Sequence, residues 1–155
     1  FTRLFLTEKP FLFMDKFNFN ESFDNPWIIN NTTEIIDTPW INVKKHEVLN
    51  PAGKPGIYTI THFKNYAIGI LPIDSNGYTW IVGQYRLPIN AYSWEIPEGG
   101  GLRHLAPLDS AKRELLEETG IIAKDWQMIQ TMHLSNSATD EFAFLYIAQD
   151  LEFIQ

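Results

Sequence analysis

The sequence predicts an α/β (α+β) fold built on a mixed sheet with few helices. Three observations carry this. Short alternating or apolar runs recur along the chain, separated by Pro, Gly, Asn and Ser turn signals. Only one segment, residues 108–119, has the apolar spacing of a helix. At 155 residues the chain can bury a full core without staples, and it shows no internal repeat, linker or low-complexity tract.

The elements follow in order. Residues 32–36 and 40–49 read as strands that end in a turn at Pro51-Ala52-Gly53. Residues 57–63 and 66–73 come next. Ser75-Asn76-Gly77 then makes a hairpin turn into residues 79–84, because Asn and Gly accept positive φ. A short strand covers 92–96. Two later strands, 126–134 and 141–148, flank a loop rich in Ser, Asn, Thr and Asp. In the helix, Leu108, Ala111 and Leu115 recur at i, i+3 and i+7 and form one apolar stripe. Pro107 precedes it and Gly120 follows it, the usual asymmetry of start and stop signals. Asp109 in the first turn suits the helix dipole.

The first thirteen residues, FTRLFLTEKPFLF, alternate at first, but Glu8, Lys9 and Pro10 interrupt any signal-peptide core. Residue 1 is not Met, and Met14-Asp15-Lys16 reads as a natural start. Residues 1–13 are therefore expected to be upstream or foreign sequence.

Composition narrows the function. The net charge is −7 with no Lys/Arg cluster, which excludes a nucleic-acid surface. No stretch is long and apolar enough for a helical membrane span. There is no cysteine, so no disulfide framework or thiolate metal site exists, and a cytoplasmic location is expected. An acidic chain that binds an anion needs local correction from metal ions and a few placed arginines. Five Trp, six Tyr and eleven Phe exceed what the core obviously requires, leaving some to stack on a base or fill an interface.

The most informative stretch is Arg113-Glu114-Leu115-Leu116-Glu117-Glu118-Thr119-Gly120-Ile121. At about 100° per residue, Glu114, Glu117 and Glu118 fall within one arc of a helix. Like charges so close repel one another. A hard divalent cation such as Mg²⁺, with Mn²⁺ as the alternative, reverses that sign, because it takes oxygen ligands and keeps positions for water and phosphate. The helix thus reads as a metal platform for phosphate chemistry, against the plainer reading of a solvated acidic face.

Gly99, thirteen residues, then Arg-Glu-Leu-x-Glu-Glu-x-Gly-Ile resembles the Nudix box, G-x5-E-x7-R-E-U-x-E-E-x-G-U with U a bulky aliphatic. A chance match would occur on the order of once in a million such chains, which decides against the plain acidic face. One position departs: the first Glu of the box is Leu105 here. The resemblance continues in Gln84-Tyr85-Arg86 and in Trp94-Glu95-Ile96-Pro97-Glu98-Gly99-Gly100-Gly101, which look like the lead-in of the ADP-ribose pyrophosphatase branch. Trp40 with Asn50-Pro51-Ala52-Gly53-Lys54 is similar to that branch too. So is the loop Leu134-Ser135-Asn136-Ser137-Ala138-Thr139-Asp140-Glu141, which there carries a late catalytic glutamate.

The resemblance implies a Nudix α/β/α sandwich over residues 56–155, preceded at 14–55 by a small antiparallel sheet exchanged between two protomers of a homodimer. It also implies a C-terminal helix beyond residue 155, so the chain is expected to be shortened there. Glu114, Glu117 and Glu118 are the expected metal ligands, joined through the resemblance by the backbone carbonyl of Glu98. Arg113 is expected to orient the carboxylates, since its planar fork suits bidentate contact. Glu141 is the candidate general base or an outer metal ligand, against a plain loop acid. Arg86 pairs with a substrate phosphate, a partner-subunit acid or a structural carboxylate. Trp40 stacks on a nucleobase or sits in the core of the small sheet. Glu95 contacts the ligand shell or ribose, or braces Arg113. Gly99 and Gly100, with Gly101, form either a phosphate-approaching turn or an ordinary loop. His46, His62, His104 and His133 lack metal-ligand spacing and read as surface or satisfied residues.

Two functions from different classes remain. One is Mg²⁺-dependent hydrolysis of a nucleoside diphosphate sugar, ADP-ribose first, to a nucleoside monophosphate and a sugar phosphate; GDP-mannose, FAD or a diadenosine polyphosphate are alternative substrates. The other is a non-catalytic domain that binds such a ligand as a sensor. The complete set of metal acids favours the enzyme.

Overall fold

The computed structural model describes residues 24–154. The expectation for residues 1–13, and that for 14–23, lies outside the described residues. Three sheets and one helix make up the described part. Strands β1 (Ile28–Asp37), β2 (Ile41–Leu49) and β3 (Pro55–Phe63) form an antiparallel sheet in that order. β2 and β3 pair without a slip, from Ile41 opposite Phe63 to Leu49 opposite Pro55. The connecting turn is tied by Asn50, whose side-chain oxygen accepts the N–H groups of Ala52 at 3.0 Å and Lys54 at 2.9 Å.

A four-stranded mixed sheet carries the core. Its strands are β4 (Asn65–Pro72), β7 (Glu98–Leu102), β8 (Ile121–His133) and β9 (Phe142–Phe153), in the order β7-β4-β9-β8. β4 and β9 run parallel, Ile68 opposite Phe144 and Ile70 opposite Tyr146, and the other pairs are antiparallel. β5 (Val82–Arg86) and β6 (Ala91–Glu95) make a separate hairpin around a 3₁₀ turn at Leu87–Ile89.

Helix α1 (Pro107–Thr119) packs on one face of the mixed sheet. It begins with Pro at its first turn and ends at Gly120, whose φ of 68° is left-handed and whose N–H returns to Leu116 O at 2.9 Å. Leu115 and Ala111 are fully buried against Ile68, Ile70, Ile121, Tyr146 and Ala148, and this cluster is the core. The sequence stripe thus meets its partner where the periodicity placed it. The fold is a mixed α+β fold with a small N-terminal antiparallel sheet, and one helical layer is present among the described residues.

β1 starts four residues earlier and β9 ends five residues later than the sequence reading, and three further differences have a local cause. The run at 79–84 makes only a single bridge, Thr79 to Ile73, before the chain leaves to build β5. The Asp74–Tyr78 turn is closed by Asp74 itself, whose carboxylate accepts from Asn76 and Tyr78, so it does not need a long ladder behind it. β8 begins at Ile121, directly after Gly120, because the C-cap already turns the chain. The glycine run 99–101 is strand β7 and not a loop. Its backbone pairs with Tyr66, Ala67 and Ile68, and tertiary pairing overrides the weak strand preference of glycine.

Candidate active site

The reason for glycine in β7 is the helix beside it. Gly99 and Gly101 face α1, and Gly100 faces Asn65 on the other side, the period-two alternation of a strand. A Cβ on Gly99 would stand 2.2 Å from Glu114 Cδ, and one on Gly101 would meet Ile68 at 3.0 Å and Ser110 at 3.3 Å. Close approach of helix to strand is what these positions permit.

That approach buries Glu114, which is only 8% exposed. Its charge is answered by Arg113 Nη2 at 2.5 Å, and the same guanidinium bonds Gly100 O at 3.0 Å and Glu117 at 2.6 Å. Arg113 therefore orients two of the box carboxylates, as its fork geometry suggested. Glu118 lies on the next face of the helix and accepts the N–H of Glu98 at 3.0 Å.

A cleft of about 620 Å³ opens beside these groups. Glu98, Gly99, Gly100, Glu118, Arg86, Gln84, Trp40, Tyr66 and Glu141 are among the residues that line it. Burial pushes the carboxyls of Glu98, Glu118 and Glu141 above their ordinary value; repulsion from Glu95 adds to the first and from Glu114 to the second. Three acids raised together in one cleft form a site that a cation would relieve.

Arg86 reaches along the face of the hairpin to Glu95, with Nε at 2.9 Å from Oε1 and Nη2 at 2.6 Å from Oε2, and also pairs with Glu98. The bond to Glu95 leads the causes that raise Arg86 further and hold the Glu95 carboxyl down to about 2. This corrects one expectation: Glu95 braces Arg86 and not Arg113, because the β5–β6 register, Val82 opposite Glu95 and Arg86 opposite Ala91, puts residues 86 and 95 on the same face of the hairpin, where the long Arg86 side chain reaches back along it. Arg86 is a structural pair that still faces the cleft.

Trp40 is 70% exposed, so the core-tryptophan alternative falls; it precedes β2 and stands open on the cleft edge. His104 and His133 are exposed, as expected, but the other two histidines depart from expectation. His46 is buried, and Nε2 of both His46 and His62 lacks a partner, while their Nδ1 atoms bond Thr32 Oγ1 at 2.9 Å and Asp140 at 2.8 Å. Sequence reasoning missed Asn65, Tyr66 and Gln84 as cleft-lining residues. Gln84 adjoins Arg86 in the lead-in motif; Asn65 and Tyr66 carry no signal before the β4–β7 pairing is known.

Metal fit rests on the donor set. The acids that face the cleft offer only hard oxygen donors, which suits Mg²⁺ or Mn²⁺. Among the described residues no three acidic or histidine groups converge on a ready-made metal position. Arg113 pairs with both Glu114 and Glu117.

Residues 64–152 match the NUDIX domain. The chain belongs to the Nudix family. The Nudix match runs from just before β4 to the penultimate residue of β9 and contains the cleft's acids. Among characterised Nudix-like relatives, the chain is 33% identical over 117 residues to an ADP-ribose pyrophosphatase of Mycobacterium tuberculosis, covering 70% of this chain and 53% of that protein. It is 27% identical over 128 residues to an ADP-ribose pyrophosphatase of Bacillus subtilis, covering 83% of this chain and 62% of that one. The chain thus spans between about half and three-fifths of the relatives it matches. A crystal structure of an ADP compounds hydrolase superposes with a TM-score of 0.75 at 20% identity, over 87% of this chain and 74% of that chain, and shows the same fold.

Proposed function

We propose that this Nudix domain hydrolyses the pyrophosphate bond of a nucleoside diphosphate sugar, with ADP-ribose as the first substrate. The observation that carries this is the cleft itself, lined by an open indole, Trp40, together with the acids Glu98, Glu118 and Glu141 and with Arg86. An aromatic face suits a nucleobase. The relatives named as ADP-ribose pyrophosphatases support that substrate.

Glu114, Glu117 and Glu118, with the Glu98 carbonyl, are the proposed holders of Mg²⁺. Such a cation neutralises pyrophosphate charge and lowers the pKa of bound water. Arg113 keeps Glu114 and Glu117 oriented until ligand arrives. Glu141 takes a proton from the attacking water; its carboxyl, pushed up by burial, is better matched to that task than an ordinary loop acid. The water oxygen joins one phosphorus, the P–O–P bridge breaks, and a nucleoside monophosphate and a sugar phosphate leave. Arg86, fixed by Glu95, presents its remaining donors to a phosphate oxygen.

A homodimer is part of the same proposal. Ile28, Ile35, Ile36 and Ile57 on the small sheet, and Tyr92 and Trp94 on the hairpin, are large apolar side chains that stand exposed. No helix of the described residues is long and apolar enough to cross a membrane.

The test is phosphate release, after phosphatase coupling, from ADP-ribose, GDP-mannose, FAD and a diadenosine polyphosphate, each with and without Mg²⁺. Metal-dependent turnover with ADP-ribose preferred is the expected result. Binding by calorimetry without turnover of any substrate would favour the sensor function instead.

A further inference from the structure

We propose that Asp140 is a positioning residue: it pins the loop before β9 to the end of β3 and thereby holds Glu141 in the cleft. This rests on the reading of Glu141 as the general base. The two residues are consecutive and serve opposite sides of the chain. Glu141 lines the cleft, whereas the Asp140 carboxylate turns to β3. Its Oδ1 accepts the Phe63 N–H at 2.8 Å, and its Oδ2 accepts from His62 Nδ1 at 2.8 Å.

The backbone joins the same corner. Thr61 N–H donates to Ala138 O at 3.0 Å, and Asp140 N–H to Thr61 O at 3.3 Å. Asp140 is the one bonding partner of the His62 ring among the described residues, since Nε2 is buried without one. Burial alone would raise the Asp140 carboxyl, but the bonds from His62 and Phe63 outweigh it and hold it low.

The corner reaches the other cleft residue as well. Lys64 N–H donates to Trp40 O at 2.9 Å, one residue beyond the Phe63 amide that Asp140 holds. Asp140 thus ties the end of β3, whose next residue bonds the Trp40 backbone, to the loop that carries the base. A catalytic group displaced by an ångström loses about 100-fold in rate. Within the loop, Leu134 N–H donates to Glu141 O at 3.0 Å and Thr139 Oγ1 to Leu134 O at 2.6 Å, and the Asp140 carboxylate adds a side-chain tie from this closed loop to the end of β3.

The experiment combines kinetics with amide exchange on the full chain. With ADP-ribose at saturating Mg²⁺, Asp140→Ala should lower kcat about 10- to 100-fold and leave KM within about threefold. In the Glu141→Gln background the same substitution should change kcat less than about twofold, because its effect passes through Glu141. His62→Leu should fall toward Asp140→Ala. His62→Asn, which keeps a donor near the Nδ1 position, should return to within about threefold of wild type. Independently of turnover, Asp140→Ala should speed exchange at the Phe63, Asp140 and Glu141 amides about tenfold or more while β4 is unchanged. Unchanged exchange at these amides would overturn the clamp, as would an equal kcat loss with and without Glu141→Gln. Wild-type turnover in Glu141→Gln would instead sink the general-base reading, and with it the route by which Asp140 acts.

Discussion

Gly99→Ala tests how the helix is seated on β7. The added Cβ would lie 2.2 Å from Glu114 Cδ and 2.4 Å from each carboxylate oxygen. An ordinary carbon contact needs about 3.5 Å, so the carboxylate must retreat by roughly 1 Å. The far end of a glutamate is usually free to move, but this one is 8% exposed and bonded to Arg113 at 2.5 Å. Retreat breaks a bond between charged groups, worth about 1.5–3 kcal/mol when well shielded. Arg113 is about half exposed, which lowers the expected loss to about 1–2 kcal/mol. For a chain of this size that is a fall in Tm of roughly 2–8 °C.

Activity should suffer more than stability, because Glu114 is a proposed metal ligand. A loss of about tenfold or more, partly recovered at high Mg²⁺, is expected. Urea unfolding followed by tryptophan fluorescence reads the first quantity, and ADP-ribose turnover across a Mg²⁺ titration reads the second. Glu114→Ala supplies the control: with the carboxylate gone the space opens, and Gly99→Ala should then cost almost nothing further. Stability within about 0.5 kcal/mol of wild type, together with an unchanged Mg²⁺ dependence, would refute the argument from crowding.

Four further outcomes are expected. Leu115→Ala empties a fully buried position and should destabilise by about 2–5 kcal/mol in the same urea assay. Glu118→Gln keeps an acceptor for the Glu98 N–H, so kcat should drop by about 100-fold or more with little change in Tm; near-normal turnover at saturating Mg²⁺ would remove Glu118 from the ligand set. Trp40→Ala should raise KM by about tenfold and leave Tm nearly unchanged, since the ring is exposed and a stacked base is worth about 1–3 kcal/mol. Glu95→Gln tests a pH window. The folded carboxyl is held down to about 2 from an ordinary 4.5, chiefly by Arg86, so its stabilisation is full above pH 4.5 and disappears as pH falls to about 2. The stability gap between wild type and Glu95→Gln should close across that window, and a constant gap would contradict the pairing.

Local pattern made much of this molecule legible in the sequence. The helix at 107–119 was readable because its stripe, Leu108, Ala111 and Leu115, and its ends, Pro107 and Gly120, are encoded within one short segment. The acids at 114, 117 and 118 were readable for the same reason: helical spacing alone puts them on one arc. The paired strands of the N-terminal sheet also follow from alternation and one turn. Tertiary structure decided the rest. The glycines at 99–101 look like a loop in isolation, and only the approach of α1 shows that they are a strand stripped of side chains to admit Glu114. Arg86 needed the β5–β6 ladder before its partner could be Glu95, and Asp140 needed β3, some eighty residues earlier, before it had any partner at all. Periodicity reports what one element presents to its surroundings; which charge answers which, and which backbone is close enough to exclude a methyl group, is set by contacts between residues far apart in the chain.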